Sequence, residues 1–201
     1  AASRIDRYRK ADLAIRVTDA SGEPVRGAKV DVHMLRNDFD FGCALSLGAF
    51  SRSGEAGKKY REIFRKYFTK APTTSGFRWQ NWIRGTEEQI ANRKQLLDEA
   101  LDWLNLNEIE VRGHYLMWAP IEKRDKPVEL IDQPQQLLEA LWAHAEQKAR
   151  WAGRRVQEWD AVNHIEGWGT TLADVCGGNK VYAEMIQKGP PMGTPCRDVG
   201  Q

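Results

Sequence analysis

Between residues 39 and 188 the chain repeats one pattern: an apolar run of strand length, then a segment with helical apolar spacing. The first pair is "FDFGCALSL" from Phe39, followed by "GKKYREIFRKYF", which puts Tyr60, Ile63, Phe64, Tyr67 and Phe68 at helical intervals. The second is "KAPTTSGFRW" from Lys70, followed by a helix expected over Thr86–Leu106. That helix has a stripe of Ile90, Leu97, Leu101 and Leu104, and a capping-box pair in Thr86 and Gln89. The third is "IEVRGHYLMW" from Ile109, with a helix over Pro134–Trp151 that turns Leu138, Leu141, Trp142 and Ala145 inward. The fourth is "RVQEWDAVN" from Arg155, with a short helix in "NKVYAEMIQK" that Gly189 and the prolines after it stop. Alternation of this kind implies parallel strands joined by right-handed crossovers. Eight such units close a (β/α)8 TIM barrel in roughly 250 residues. Residues 39–188 supply four, so the expected fold is α/β, half of a (β/α)8 barrel. Half a barrel leaves two unpaired strand edges and an uncovered core face. Either the sheet is open and wound differently, or the missing half comes from another chain; the expected remedy is a homodimer or higher homo-oligomer in which each copy completes the other's barrel.

Residues 1–38 read differently. "DLAIRVTD" alternates with Leu13, Ile15 and Val17 on one face, and "KVDVHML" does so with Val30, Val32 and Met34. Gly22, Pro24 and Gly27 punctuate the turn between them. This predicts an antiparallel β-hairpin or ribbon as an N-terminal appendage. Residues 189–201, "GPPMGTPCRDVGQ", have no periodicity and read as a disordered or non-native tail.

Composition narrows the partners. Thirty basic and twenty-eight acidic residues are interleaved for a net charge of +2, which favours neither nucleic acid nor another polyanion. No run approaches membrane-spanning length, so no membrane partner is expected. No signal peptide is visible, and the compartment is left open. Cys43, Cys176 and Cys196 have no zinc spacing and read as buried or incidental thiols, with Cys176 and Cys196 able to pair in an oxidising compartment. No metal site and no cofactor are expected, because neither a phosphate loop nor a dinucleotide fingerprint is present.

In βα folds ligands bind at the carboxyl ends of the strands. The loci there are Leu45–Ser46, Thr73–Trp79, His114–Trp118 and Asn163–Trp168. His114 beside Trp118 suits a sugar, since an indole stacks on a pyranose face and an imidazole bonds a hydroxyl. Asn163 both donates and accepts, and at a strand end it reaches the same pocket as His164. Asp160 reads as a structural hydrogen-bonding group at a strand–helix junction, and Glu158 as a surface residue. Glu166 lies in a Gly-rich loop from which it can swing inward.

In order along the chain, "FDFGCAL", "APTTSGFRW", "VRGHYLMW" and "EWDAVNHI" resemble the first four strand motifs of glycoside hydrolase family 10, the endo-1,4-β-xylanase family. The resemblance runs from about residue 10 to residue 187. It implies a retaining hydrolase of β-1,4-xylan or a related plant polysaccharide, secreted, whose partner is a polysaccharide or oligosaccharide. It places His114, Trp118 and Asn163 around the sugar next to the scissile bond, with Arg78 and Trp79 also contacting substrate. His164 falls on the acid/base position, where the family has glutamate, and Thr74 and Ser75 stand where Glu-Asn is usual. Glycoside cleavage uses two carboxyl groups, and the family's nucleophile lies on a seventh strand, beyond the four units here. Histidine's ordinary proton exchange near neutrality lets it serve as a general acid in place of glutamate. The expectation is a truncated xylanase-like hydrolase, weakly active or inactive alone. The alternative is a non-catalytic carbohydrate-binding or structural half-barrel module.

Overall fold

The computed structural model describes residues 2–36, 39–121, 128–166 and 169–187; the tail from residue 189 and Cys196 lie outside them. The chain divides into two units, residues 1–37 and 38–201.

The first unit opens with helix α1 (Ala2–Arg9). The two strands expected after it are reduced to one antiparallel bridge, Thr18 with Pro24. Asp19 organises the turn between them: its Oδ1 accepts from the Ser21 amide at 2.9 Å, the Ser21 hydroxyl at 2.7 Å and the Glu23 amide at 3.0 Å. The reading of a β-ribbon is corrected on this point, and the reason is physical. Within this unit nothing covers Leu13, Ile15, Val30, Val32 and Met34, and a two-stranded ribbon without a covered face is marginal.

The second unit holds, in chain order, α2 (Leu47–Phe50), α3 (Gly54–Tyr67), β1 (Lys70–Pro72), α4 (Trp79–Ile83), α5 (Glu87–Leu106), β2 (Glu110–Gly113), β3 (Met117–Trp118), α6 (Pro134–Ala152), β4 (Glu158–Trp159), β5 (Val162–Asn163), α7 (Leu172–Val175) and α8 (Lys180–Gln187). Residues 42–45 bridge in parallel to Lys70 and Thr73. β1 then pairs in parallel with β2, β2 with β4, and β3 with β5. β2 and β3 are two stretches of one strand, as are β4 and β5, so four parallel strands lie side by side in the order of the chain. Among the described residues no strand pairs with the outer edge of residues 42–45 or with that of β4 and β5.

Local chemistry explains the helices. Thr86 and Gln89 make the expected capping box at the start of α5: the Gln89 amide donates to Thr86 Oγ1 at 3.2 Å and the Thr86 amide to Gln89 Oε1 at 3.1 Å. Leu97, Ala100, Leu101 and Leu104 are its buried face. α3 buries Phe64 but leaves Ile63 and Tyr67 exposed, so its core stripe is narrower than the spacing suggests. In α6 the stripe runs through Leu137, Leu141, His144, Ala145, Lys148 and Ala152. Two polar residues therefore sit among core positions, and Leu138 and Trp142 are half-buried beside them.

Helices cover one face of the sheet. Ala71, Val111 and Gly113 point to them and are buried. Gly113 is required there, because a Cβ would come within 2.2 Å of the Trp159 ring. Lys70, Glu110, Arg112, Glu158 and Asp160 occupy the opposite face by alternation. The uncovered face is therefore charged, contrary to the apolar surface expected of half a barrel. Lys70 Nζ lies 3.2 Å from Glu158, 3.4 Å from Asp40 and 3.5 Å from Glu110. Burial pulls the Lys70 ammonium down, but its carboxylate partners outweigh this and hold it above its ordinary value.

Lys148 is 1% exposed. Its ammonium donates to the carbonyls of Phe77 at 3.0 Å, Tyr115 at 2.9 Å and Leu116 at 2.6 Å. Those carbonyls lie after the second strand and in the gap between β2 and β3, so the lysine meets a need for donors where ladder pairing is interrupted. One turn earlier His144 is buried against Trp79, with ring centroids 4.3 Å apart. Burial, and then the charge of Lys148, lower the His144 imidazole to about 3. The folded chain thus refuses a proton that the unfolded chain takes up below the ordinary value of 6.5. The stability held above pH 6.5 is lost as the pH falls towards 3, by up to about 1.4 kcal/mol per pH unit. Urea denaturation of the wild type and of His144→Phe across this range should show the steeper acid loss in the wild type alone.

Candidate active site

The carboxyl ends of the second, third and fourth strands meet around His114. Its position is fixed from three sides. Thr73, 1% exposed at the end of the second strand, accepts the His114 amide on Oγ1 at 3.2 Å. Asp160, between β4 and β5, holds the ring through Oδ2 to Nδ1 at 2.6 Å. Asn163, at the end of β5, places Nδ2 at 3.3 Å from Nε2. One tautomer satisfies all of these bonds: Nδ1 donates to the carboxylate and Nε2 accepts from the amide. The orientation of the Asn163 amide follows independently, because its Oδ1 accepts the backbone amide of His164 at 3.0 Å.

Both oxygens of Asp160 are engaged. Oδ2 takes His114, while Oδ1 takes Arg112 Nε at 2.7 Å and the Nη2 of the same guanidinium. Burial pushes the Asp160 carboxyl up. The hydrogen bonds from His114 and Arg112 and the charge of the guanidinium outweigh it, and hold the group below its ordinary value. Arg112 also reaches Glu158, with Nε 3.6 Å from Oε1.

The aromatic residues form the adjoining wall. Tyr115 is buried and packs on Trp118 with ring centroids 5.0 Å apart and planes inclined by 31°. The His164 ring lies 4.4 Å from that of Trp118, with the planes inclined by 60°. His164 is exposed and its backbone is left-handed, with φ of 57°. The Asn163 side chain that takes its amide steadies this conformation, which costs a residue with a Cβ about 1–2 kcal/mol.

The structure brings together His114, Trp118, Asn163 and His164. Arg78 and Trp79 stand apart from the cluster. Arg78 is the exposed residue ahead of α4 and makes no ion pair among the described residues. Trp79 packs edge-on against His144 with its indole nitrogen buried. Thr74 Oγ1 donates to the Leu45 carbonyl at 3.4 Å, across the first and second strands. Glu158 belongs to the ion-pair network of the uncovered face, and Glu166 is exposed. Asp160 has the structural role expected of it, but the group it fixes is a candidate site residue. Thr73 opened one of the expected strand-end loci but had no role assigned to it, and Arg112 was not singled out. The register of β2 against β4 pairs Arg112 with Glu158, two residues before Asp160. Parallel strands at equal depth were the signal that could have linked Arg112 to Asp160.

Among the described residues no group of three or more His, Cys, Asp or Glu side chains could hold a metal ion. Among the described residues no helix is long and apolar enough to cross a membrane.

A family model described as glycosyl hydrolase family 10 matches residues 32–176. Endo-1,4-beta-xylanase 5 of Arabidopsis thaliana is 26% identical over 167 residues, covering 82% of this chain and 27% of the relative. The anti-sigma-I factor RsgI6 of Acetivibrio thermocellus is 26% identical over 129 residues, covering 64% of this chain and 16% of that protein. Two solved structures share the fold. One is an endoxylanase from a sugarcane soil metagenome, with a TM-score of 0.58 at 15% identity over 77% of this chain and 46% of that one. The other is a mutant xylanase A of P. fluorescens subsp. cellulosa in complex with xylopentaose, with a TM-score of 0.55 at 19% identity over 75% and 46%. The chain thus spans about a quarter of that xylanase relative and under half of each solved protein.

Replacing Asp160 by asparagine removes the anion from a partly buried, doubly bonded position. At pH 7 Asp160→Asn should cost about 1–3 kcal/mol in urea denaturation. Because the folded carboxyl is held low, this advantage is present above the ordinary aspartate value. The gap between the two proteins should close as the pH falls through the depressed one.

Proposed function

Because the chain belongs to glycosyl hydrolase family 10, we propose that the carboxyl end of its sheet receives one sugar unit of a β-1,4-xylan or a related plant polysaccharide. The observation that carries this reading is the His114–Asn163 pair held by Asp160 beside the Trp118 ring. The amide and imidazole offer hydrogen bonds to ring hydroxyls, and the indole offers a face to the sugar's C–H groups. A relative with the same fold is a complex with xylopentaose, which supports this ligand class.

Hydrolysis by these residues is weak or absent. The reaction needs one group to protonate the leaving oxygen and a second to attack or activate water. At the acid position stands His164, whose imidazolium would deliver the proton to the leaving oxygen. Asp160 is spent on both oxygens and serves to position His114. Arg78 and Trp79 are assigned to neighbouring sugar units along the strand ends.

A second reading, binding without cleavage, is favoured by the same engagement of Asp160 and by histidine at position 164. It gains support from a relative named as an anti-sigma factor, not as a xylanase. Calorimetry with xylo-oligosaccharides, together with chromatography of the products, separates the two. Binding should be seen and should weaken about tenfold or more in His114→Ala and Asn163→Ala. Any turnover should fall by a further factor of about 10²–10⁴ in His164→Ala. Turnover that survives His164→Ala would remove that residue from the reaction, and absence of binding would remove the sugar site.

The two open strand edges also support self-association. Two copies of the 201-residue chain meeting edge to edge would supply eight strands in a ring. The driving contacts are backbone pairings, because the sheet face left open is charged. Size-exclusion chromatography with light scattering should find a dimer, and a stable monomer at micromolar concentration would exclude this assembly.

A further inference from the structure

We propose that a cleft between α2 and α5 is a separate subsite for a carboxylate-bearing sugar, a uronate branch on the polysaccharide chain. The proposal rests on the reading that a polysaccharide crosses the carboxyl ends of the strands, and it concerns other residues than those around His114. The cleft has a volume of about 180 Å³, enough for a single small ring and too little for an oligosaccharide. Leu47, Leu96 and Trp82 give it apolar walls, and Ser75 lies on its border. Ser75 follows shortly after Thr73, the residue that holds the His114 amide, so the cleft opens at the same end of the sheet.

Two cations enter it, Arg93 and Lys94. Among the described residues neither has a carboxylate within ion-pair distance, whereas Lys70 and Arg155, also sunk in the fold, each sit on two or more. Both are held in place by other means. Arg93 donates from Nε to the Asn81 carbonyl at 3.1 Å and from Nη2 to the Arg84 carbonyl, which leaves Nη1 uncommitted. The Lys94 ammonium lies 4.5 Å from the centroid of the Trp82 ring. Trp82 is itself tied through Nε1 to the Gly76 carbonyl at 3.0 Å. One guanidinium edge and one ammonium suit the two oxygens of a carboxylate. The apolar walls suit the C–H faces of the ring that bears it, which an inorganic anion would leave unused. Because the donors are already positioned, little ordering is needed on binding.

The test uses the full chain at low ionic strength, with D-glucuronate, D-xylose, sodium phosphate, xylotetraose and a glucuronate-branched xylotetraose. Glucuronate should shift the Trp82 indole Nε1–H resonance in proton–nitrogen spectra, while D-xylose and phosphate leave it in place. By calorimetry the branched oligosaccharide should bind about tenfold more tightly than the neutral one. Lys94→Met, which keeps the apolar stem over Trp82, should abolish both the shift and the preference while leaving xylotetraose affinity unchanged. Lys94→Gln should do the same if the first variant unfolds. An equal response to phosphate would mean an adventitious ion only and would overturn the proposal. So would a glucuronate response that survives the Lys94 variants, or no response at all. If xylotetraose fails to bind but glucuronate still shifts Trp82 through Lys94, the subsite stands and the reading of the His114 cluster falls.

Discussion

The ammonium of Lys148 holds together the part of the sheet on which the candidate site is built. A lysine sunk to this depth has lost its water, a cost of several kcal/mol before compensation. Here three backbone carbonyls replace the water, those of Phe77, Tyr115 and Leu116. They belong to the segment after the second strand and to the gap between β2 and β3, where the carbonyls have no ladder to enter. The gap brings His114 out of the strand towards Asp160 and turns Trp118 against Tyr115. The site's geometry thus depends on a helix residue, carried by α6, that acts through backbone carbonyls.

Charge is divided along the strands in a way that separates stability from chemistry. At the amino ends Lys70 gathers Asp40, Glu110 and Glu158 into a network on the uncovered face. In the middle Arg112 bridges Glu158 to Asp160. At the carboxyl ends Asp160 anchors the His114 ring, and Asn163 completes the line. The face left open by four strands is therefore already paired within itself. Among the described residues this spares the sheet the apolar exposure that makes an uncovered core costly.

The four strand–helix units were legible because each rests on a local signal that tertiary contacts reinforce. The α5 capping box and its stripe of Leu97, Leu101 and Leu104 are the clearest case. α6 shows where the signal fails. Apolar spacing favours Leu138 and Trp142, yet the buried stripe passes through His144 and Lys148. No periodicity rule puts a lysine in a core, because its place there depends on carbonyls contributed 71, 33 and 32 residues away. The N-terminal strands fail in the opposite sense. Leu13, Ile15, Val30 and Val32 alternate cleanly, but alternation only predicts a ladder if something covers the apolar face, and nothing within their own unit does. In the site, strand-end positions set His114 beside Trp118 and Asn163 beside His164, and the family resemblance joined Asn163 to His114. The structural role of Asp160 was legible, but its partners Arg112 and His114 needed the register of β2 against β4.

Position 164 separates scaffold from chemistry. Its left-handed backbone is an unfavourable one for any residue with a Cβ, and Asn163 stabilises it by accepting its amide. Neither feature depends on which side chain follows. Whatever stands at 164 is delivered above the Trp118 ring by the same backbone, and His164 is delivered there now.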